Sequence, residues 1–170
     1  MKKEINNKKE KKNPDFLKQE AKRKSQLFNR FMLFRYSLSV FFFANLYWFI
    51  VQIFQPSFYL LIPILLLISI ILATAEQFKL YSSTVPVLKK TELALKLQAI
   101  INVTVILLVL LNQTSILFPT FTNRTAAKAL VIGLQVLGLS LISLNLKRAE
   151  QVKHNVDKHY LRFQTIEKYL

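Results

Sequence analysis

The chain has no cysteine, and that absence removes disulfides, thiolate metal sites and thiol nucleophiles together. Glycine and proline are also scarce, with two and five residues in 170. That leaves little from which to build the paired, broken half-helices of many transporters. The most informative absence is charge. From Tyr36 to Ala75 the chain runs 40 residues without an Asp, Glu, Lys, Arg or His. As a single helix at about 1.5 Å per residue, such a run would reach roughly 60 Å, about twice the ~30 Å hydrocarbon layer of a bilayer. Gln55-Pro56-Ser57, near its middle, is a turn-forming triplet that folds the run into two crossings.

What is present is a segregated chain, 52% hydrophobic with a formal net charge of +15. The pattern predicts an all-α, polytopic integral membrane protein with four transmembrane helices in two hairpins. The expected spans are 36–54, 58–75, 97–118 and 129–146, forming a membrane domain over 36–146. The third helix is expected to start outside the bilayer, with Thr84 near its N-cap and Pro86 in its first turn. Trp48, Phe54, Tyr59 and Phe118 are expected toward one membrane interface, with Tyr36 and Tyr81 toward the other.

Orientation follows from the basic residues. Placing both termini in the cytoplasm puts 22 of the 24 Lys and Arg residues on that side, and the opposite topology leaves only 2 there. The expected location is a cell (plasma) membrane, and the richness in Lys, Asn, Ile and Leu suits a bacterium. A 35-residue basic lead before the first span is too long for an ordinary secretory signal, so that span is read as a retained anchor.

Within the basic segment 1–35, residues 1–12 lack any hydrophobic pattern and are expected to be disordered. Asn13-Pro14-Asp15 reads as a helix start, giving a helical, interfacial segment over 14–35 that leads into the first span. The charge is matched to anionic lipid headgroups at the cytoplasmic face, the nearest counter-charge for residues flanking spans. No recognition fold accompanies it, so nucleic acid is not an expected partner.

No charged residue lies in the central part of any span, which argues against proton-coupled transport, ion conduction and intramembrane catalysis. The interior polar residues singled out are Asn45, Ser69, Asn102, Thr104 and Gln135. Asn45 and Gln135 fall at matching depth on antiparallel spans and are expected to hydrogen-bond as interhelical glue. On the fourth span Ala126, Ala129, Gly133, Val136, Ser140 and Ser143 recur at three- and four-residue steps, a small-residue packing seam. Gly133 and Gly138 sit at no evident break, so close packing is the expected reason for both.

The segment 147–170 contains neither Gly nor Pro and is expected to be a cytoplasmic amphipathic helical tail. Its stripe of Val152, Val156, His159, Phe163, Ile166 and Leu170 continues the phase of the fourth span. This predicts one helix from Ala129 to Leu170, about 63 Å long. His154 and His159 are five apart, the wrong spacing for a helical metal pair. No nucleophile–base or ligand constellation is present, so neither catalysis nor a cofactor is expected. The function class that fits is a non-catalytic accessory subunit or scaffold for a larger membrane or cytosolic complex, with a protein partner or a second copy. The alternative is a component of a small-solute transporter or pore acting as an oligomer.

Overall fold

The computed structural model describes residues 14–80, 87–120 and 125–167, and every regular element among them is helical. In order these are α1 (Pro14–Arg30), α2 (Met32–Phe54), a 3-10 turn (Phe58–Leu60), α3 (Leu61–Lys79), α4 (Lys89–Leu110), the short α5 (Thr114–Leu117), α6 (Thr125–Lys153) and α7 (Lys158–Glu167). Four of them, α2, α3, α4 and α6, lie in segments long and apolar enough to cross a membrane. Their outward faces stay apolar, with Phe43, Leu65, Leu107 and Leu137 all more than half exposed. A helix that is apolar on every side has no face suited to water.

The four long helices form a ring. α2 packs on α3, α3 on α4 and α4 on α6, while α6 returns to α2 through the loosest seam. The interior is tiered along the bundle. Trp48, Leu66, Val105, Val109, Leu117 and Val131 fill the end near α5. Leu38, Phe41, Ile70, Ala73 and Ile142 fill the next tier. Phe31, Phe34, Leu80, Leu88, Ala149 and Val152 close the end where α1 and α7 pack together. Both terminal helices therefore lie at one end of the bundle, and the loop carrying α5 lies at the other.

Four local signals depart from the simple pattern of spans. The helix expected over 14–35 is two helices, because Phe31 leaves the helical ladder (φ −105°, ψ 2°) and sinks fully into the core at the terminal end. The third crossing, expected to run to Phe118, closes at Leu110. Asn112 adopts a left-handed conformation (φ 66°), and the amides of Asn112 and Gln113 turn back to the carbonyls of Val109 (3.1 Å) and Leu108 (3.0 Å). That is a Schellman ending, with Asn in the place glycine usually takes.

The same device interrupts the helix expected to be continuous from Ala129 to Leu170. Asn155 is left-handed (φ 56°), and the amides of Asn155 and Val156 return to Val152 (3.2 Å) and Gln151 (3.1 Å). α6 ends at Lys153, the helix breaks, and α7 packs against α1. Fourth, the expected start at Thr84 lies outside the described residues. The start seen is Lys89, where Glu76 of α3 caps α4 by accepting the amides of Lys90 (3.0 Å) and Thr91 (2.8 Å). A carboxylate at a helix N-terminus satisfies orphan donors and complements the helix dipole.

Trp48 packs inside the bundle at the α5 end. It is 6% exposed, its indole N–H donates to the Leu117 carbonyl (2.8 Å), and its ring stacks on Phe118. Gln52 donates to the same carbonyl (2.8 Å), so two side chains of α2 hold the α5 turn inside the bundle end. Residues 1–12, Tyr81 and Leu170 lie outside the described residues.

Candidate functional site

Two polar assemblies stand out, one in the bundle and one at its terminal end. The first begins with the loose α2–α6 seam. Toward the terminal end Asn145 Nδ2 of α6 closes the seam by donating to Ser37 Oγ of α2 (2.7 Å). Toward α5 the seam opens into a groove of about 500 Å³, walled by Val40, Ala44, Trp48, Phe118, Leu134 and Leu137 among others.

The groove has an amide floor. Asn45 Nδ2 donates to the Phe41 carbonyl on its own helix and to Gln98 Oε1 of α4, each at 2.8 Å. Gln98 Nε2 in turn donates to Asn102 Oδ1 (2.9 Å), and all three side chains are more than nine-tenths buried. Gln98 and Asn102 are four apart, so they stack on one helix face and relay the hydrogen bond along α4. Gly138 is the reason Asn102 fits against α6, since a Cβ there would lie 2.6 Å from Asn102 Nδ2.

This corrects the expected Asn45–Gln135 pair. Gln135 lines the groove half-buried, but the partner of Asn45 is Gln98, which reaches it from α4. The expected small-residue seam lies on the outer side of α6. Ala129, Gly133 and Ser140 are exposed on the outer side of α6, and nothing in the described chain lies within 4 Å of a Cβ placed on Gly133. Of the two glycines, only Gly138 serves close packing among the described residues. Thr104 also faces outward and satisfies its hydroxyl on the Ile100 carbonyl (2.9 Å).

The second assembly is a clasp between the two terminal helices. Arg30, the last residue of α1, is 1% exposed. Its Nε donates to Asp157 Oδ1 (2.9 Å), and its Nη2 donates to the Val152 carbonyl (2.7 Å) and to Asn155 Oδ1 (2.6 Å). The guanidinium carbon lies 4.7 Å from the centre of the Tyr160 ring. A cation thus occupies the negative C-terminal end of α6, which the helix dipole favours. Asp157 answers from the start of α7, where its second oxygen caps the Tyr160 amide (3.1 Å). The break over 154–157 is thereby a socket for one arginine. Burial pulls the Arg30 guanidinium down from its ordinary value, and the ion pair with Asp157 pushes it back up.

The tail stripe does not survive the break as one face. Val152 is fully buried in the core at the terminal end and Phe163 is 4% exposed, whereas Val156 is 61% exposed. His159 is half-buried, with Nδ1 3.0 Å from Gln26 Oε1 of α1. Ile166 lies within α7.

Sequence reasoning missed Gln98, Arg30 and Asp157. The first was legible as an amide four residues before Asn102. The clasp had a signal in Asn155-x-Asp157, an Asn able to end one helix followed by an Asp able to cap the next. Among the described residues no three His, Asp or Glu side chains gather as a metal site would require. No family model, curated protein or solved structure matches the chain.

Proposed function

We propose that this chain is a non-catalytic, multi-pass membrane protein that serves as an accessory subunit or scaffold, with both termini in the cytoplasm of the cell that carries it in its membrane. The observation that carries this reading is the clasp. A basic topology signal needs only to be charged, yet here α1 and α7 are locked into one head by a buried Arg30–Asp157 pair. Sealing an ion pair from solvent costs desolvation energy, and it is best explained where a fixed arrangement of the chain is required. The outward line of Ala129, Gly133 and Ser140 supports a second contact within the membrane, because small residues in lipid gain most where another backbone comes close. The cytoplasmic orientation rests on the concentration of Lys and Arg in the terminal segments and over residues 76–96, where α3 ends and α4 begins.

The test is affinity capture from detergent-solubilised membranes, with Asp157→Ala as the unlocked control. A membrane or cytosolic protein co-purifying in fixed stoichiometry with the native chain, and lost with Asp157→Ala while helical content persists, is the expected result. Capture of the chain alone, with solute flux by the purified protein in liposomes, would make it a transporter component instead.

A further inference from the structure

The geometry points to the α2–α6 groove as a binding site for an uncharged, lipid-soluble molecule bearing a carbonyl or hydroxyl group. The volume of about 500 Å³ falls in the range of small-ligand pockets and is far below that of a transmembrane helix. Its walls are apolar, and among the described residues no Asp, Glu, Lys, Arg or His lines it. A charged ligand would therefore enter without a counter-charge, at a large desolvation cost.

The floor supplies the recognition chemistry. Asn102 accepts a hydrogen bond from Gln98 at Oδ1, while its Nδ2, aimed at Gly138 on the groove wall, has no acceptor among the described residues. The Asn102 residue is 4% exposed, and its Nδ2 makes no hydrogen bond among the described residues, so it is open to an acceptor in the groove. The Gln135 amide, also lining the groove, has no hydrogen-bond partner among the described residues either. In hydrocarbon, water is not at hand to satisfy such groups, and each is costly until something accepts its proton. A carbonyl or hydroxyl oxygen of a ligand does so.

Depth separates this ligand from an ordinary phospholipid. Asn45 lies 13 residues after Met32 and 9 before Phe54. At about 1.5 Å per residue that is roughly 20 Å and 14 Å from the helix ends. A phosphate headgroup stays at the interface, whereas a neutral carbonyl or hydroxyl compound reaches the middle of the bilayer.

Trp48 borders the groove and is the only tryptophan in the chain, so the protein carries its own reporter. The probe is methyl 9,10-dibromostearate, a neutral carbonyl compound without a polar headgroup, titrated into nanodiscs of unbrominated phosphatidylcholine that hold the full chain. Quenching of Trp48 should saturate at low probe fraction. Ala44→Phe, which fills the groove from an exposed position, should abolish the saturable phase. Gln135→Leu should raise the half-saturating fraction about five-fold, the worth of one hydrogen bond. An unaltered emission maximum without probe confirms that each variant is folded around Trp48. The inference is overturned if quenching rises linearly with probe fraction, or if the native chain and both variants respond alike. It is also overturned if dibrominated phosphatidylcholine quenches as strongly at equal fraction. This result is independent of whether a protein partner is captured.

Discussion

Arg30 and Asp157 form a full ion pair with both side chains sealed from solvent, whereas Asn45, Gln98 and Asn102, at mid-bundle, use neutral amides only. Both clusters fix the register of helices distant in sequence. The difference lies in what surrounds them. The clasp sits at two helix ends, where the Val152 carbonyl at the end of α6 and the Tyr160 amide in the first turn of α7 help to neutralise the two charges. At mid-span the backbone groups are already spent on the helical ladder, so no spare dipole is available to a charge. Neutral amides, each able to donate and accept, are the polar groups that can be satisfied there. The clasp is therefore strong and intolerant of losing one half, and the relay is weak and graded.

The widest gap between the two should appear on breaking the clasp from one side. Asp157→Ala leaves a buried guanidinium whose Nη1 already lacks a hydrogen bond. The expected loss is about 3–5 kcal/mol in the stability of the terminal head. Because the chain has no cysteine, an engineered pair at Gln26 and His159 reports docking of α7 on α1 by disulfide formation, and it should fall sharply in this background. Replacing both partners, Arg30→Met with Asp157→Leu, should recover most of the loss. If the double variant is as damaged as the single one, the two regions do not differ in the way described.

The relay should respond less. Asn45→Leu or Gln98→Leu is expected to cost about 0.6–2 kcal/mol in the unfolding of the detergent-solubilised bundle by a denaturing detergent. Both changes together should cost little more than either alone, because each removes the same hydrogen bond. A fully additive pair would mean that the amides act separately and that the relay is not a unit.

How much of this was readable beforehand follows the same division. The apolar runs that become α2, α3, α4 and α6 are visible without a structure, since lipid demands length and hydrophobicity, and both are written into the sequence. The Gln55-Pro56-Ser57 turn was legible for a similar reason: Ser57 caps the next amides and Pro56 cannot continue a helix. The partner of Asn45 was not legible. Matching depth selects several candidates, and only the order of helices around the ring selects Gln98 over Gln135. The α6–α7 break was hidden because no Gly or Pro marks it. Asn155 takes the left-handed conformation at modest cost, and Arg30, 125 residues away, bonds its side-chain oxygen there. A regular 3-4 pattern running through the break concealed it further. Periodicity reports which residues could share a face, not whether the helix continues between them.

The smallest expected effect lies at the margin of the clasp, where His159 ties the head to pH. Burial pulls its pKa below the usual 6.5, and the neighbouring charges of Arg148, Arg162 and Lys158 act in the same direction against the opposing pull of Asp157. With α7 undocked, the imidazole takes its proton as pH falls through about 6.5. Docked, it takes it only at lower pH. Between those two points proton uptake favours the undocked form, so α7 should hold less firmly to α1 as pH falls through about 6.5, and the loss should level off once the docked form is also protonated. Hydrogen exchange of the α7 amides, corrected for intrinsic pH dependence, should show protection declining over that window by less than Asp157→Ala causes at neutral pH. His159→Gln should flatten the dependence while leaving the clasp in place. Should protection instead rise on acidification, the ring is paired with an anion more closely than with the surrounding cations, and the head is held by a second ion pair rather than by Arg30 and Asp157 alone.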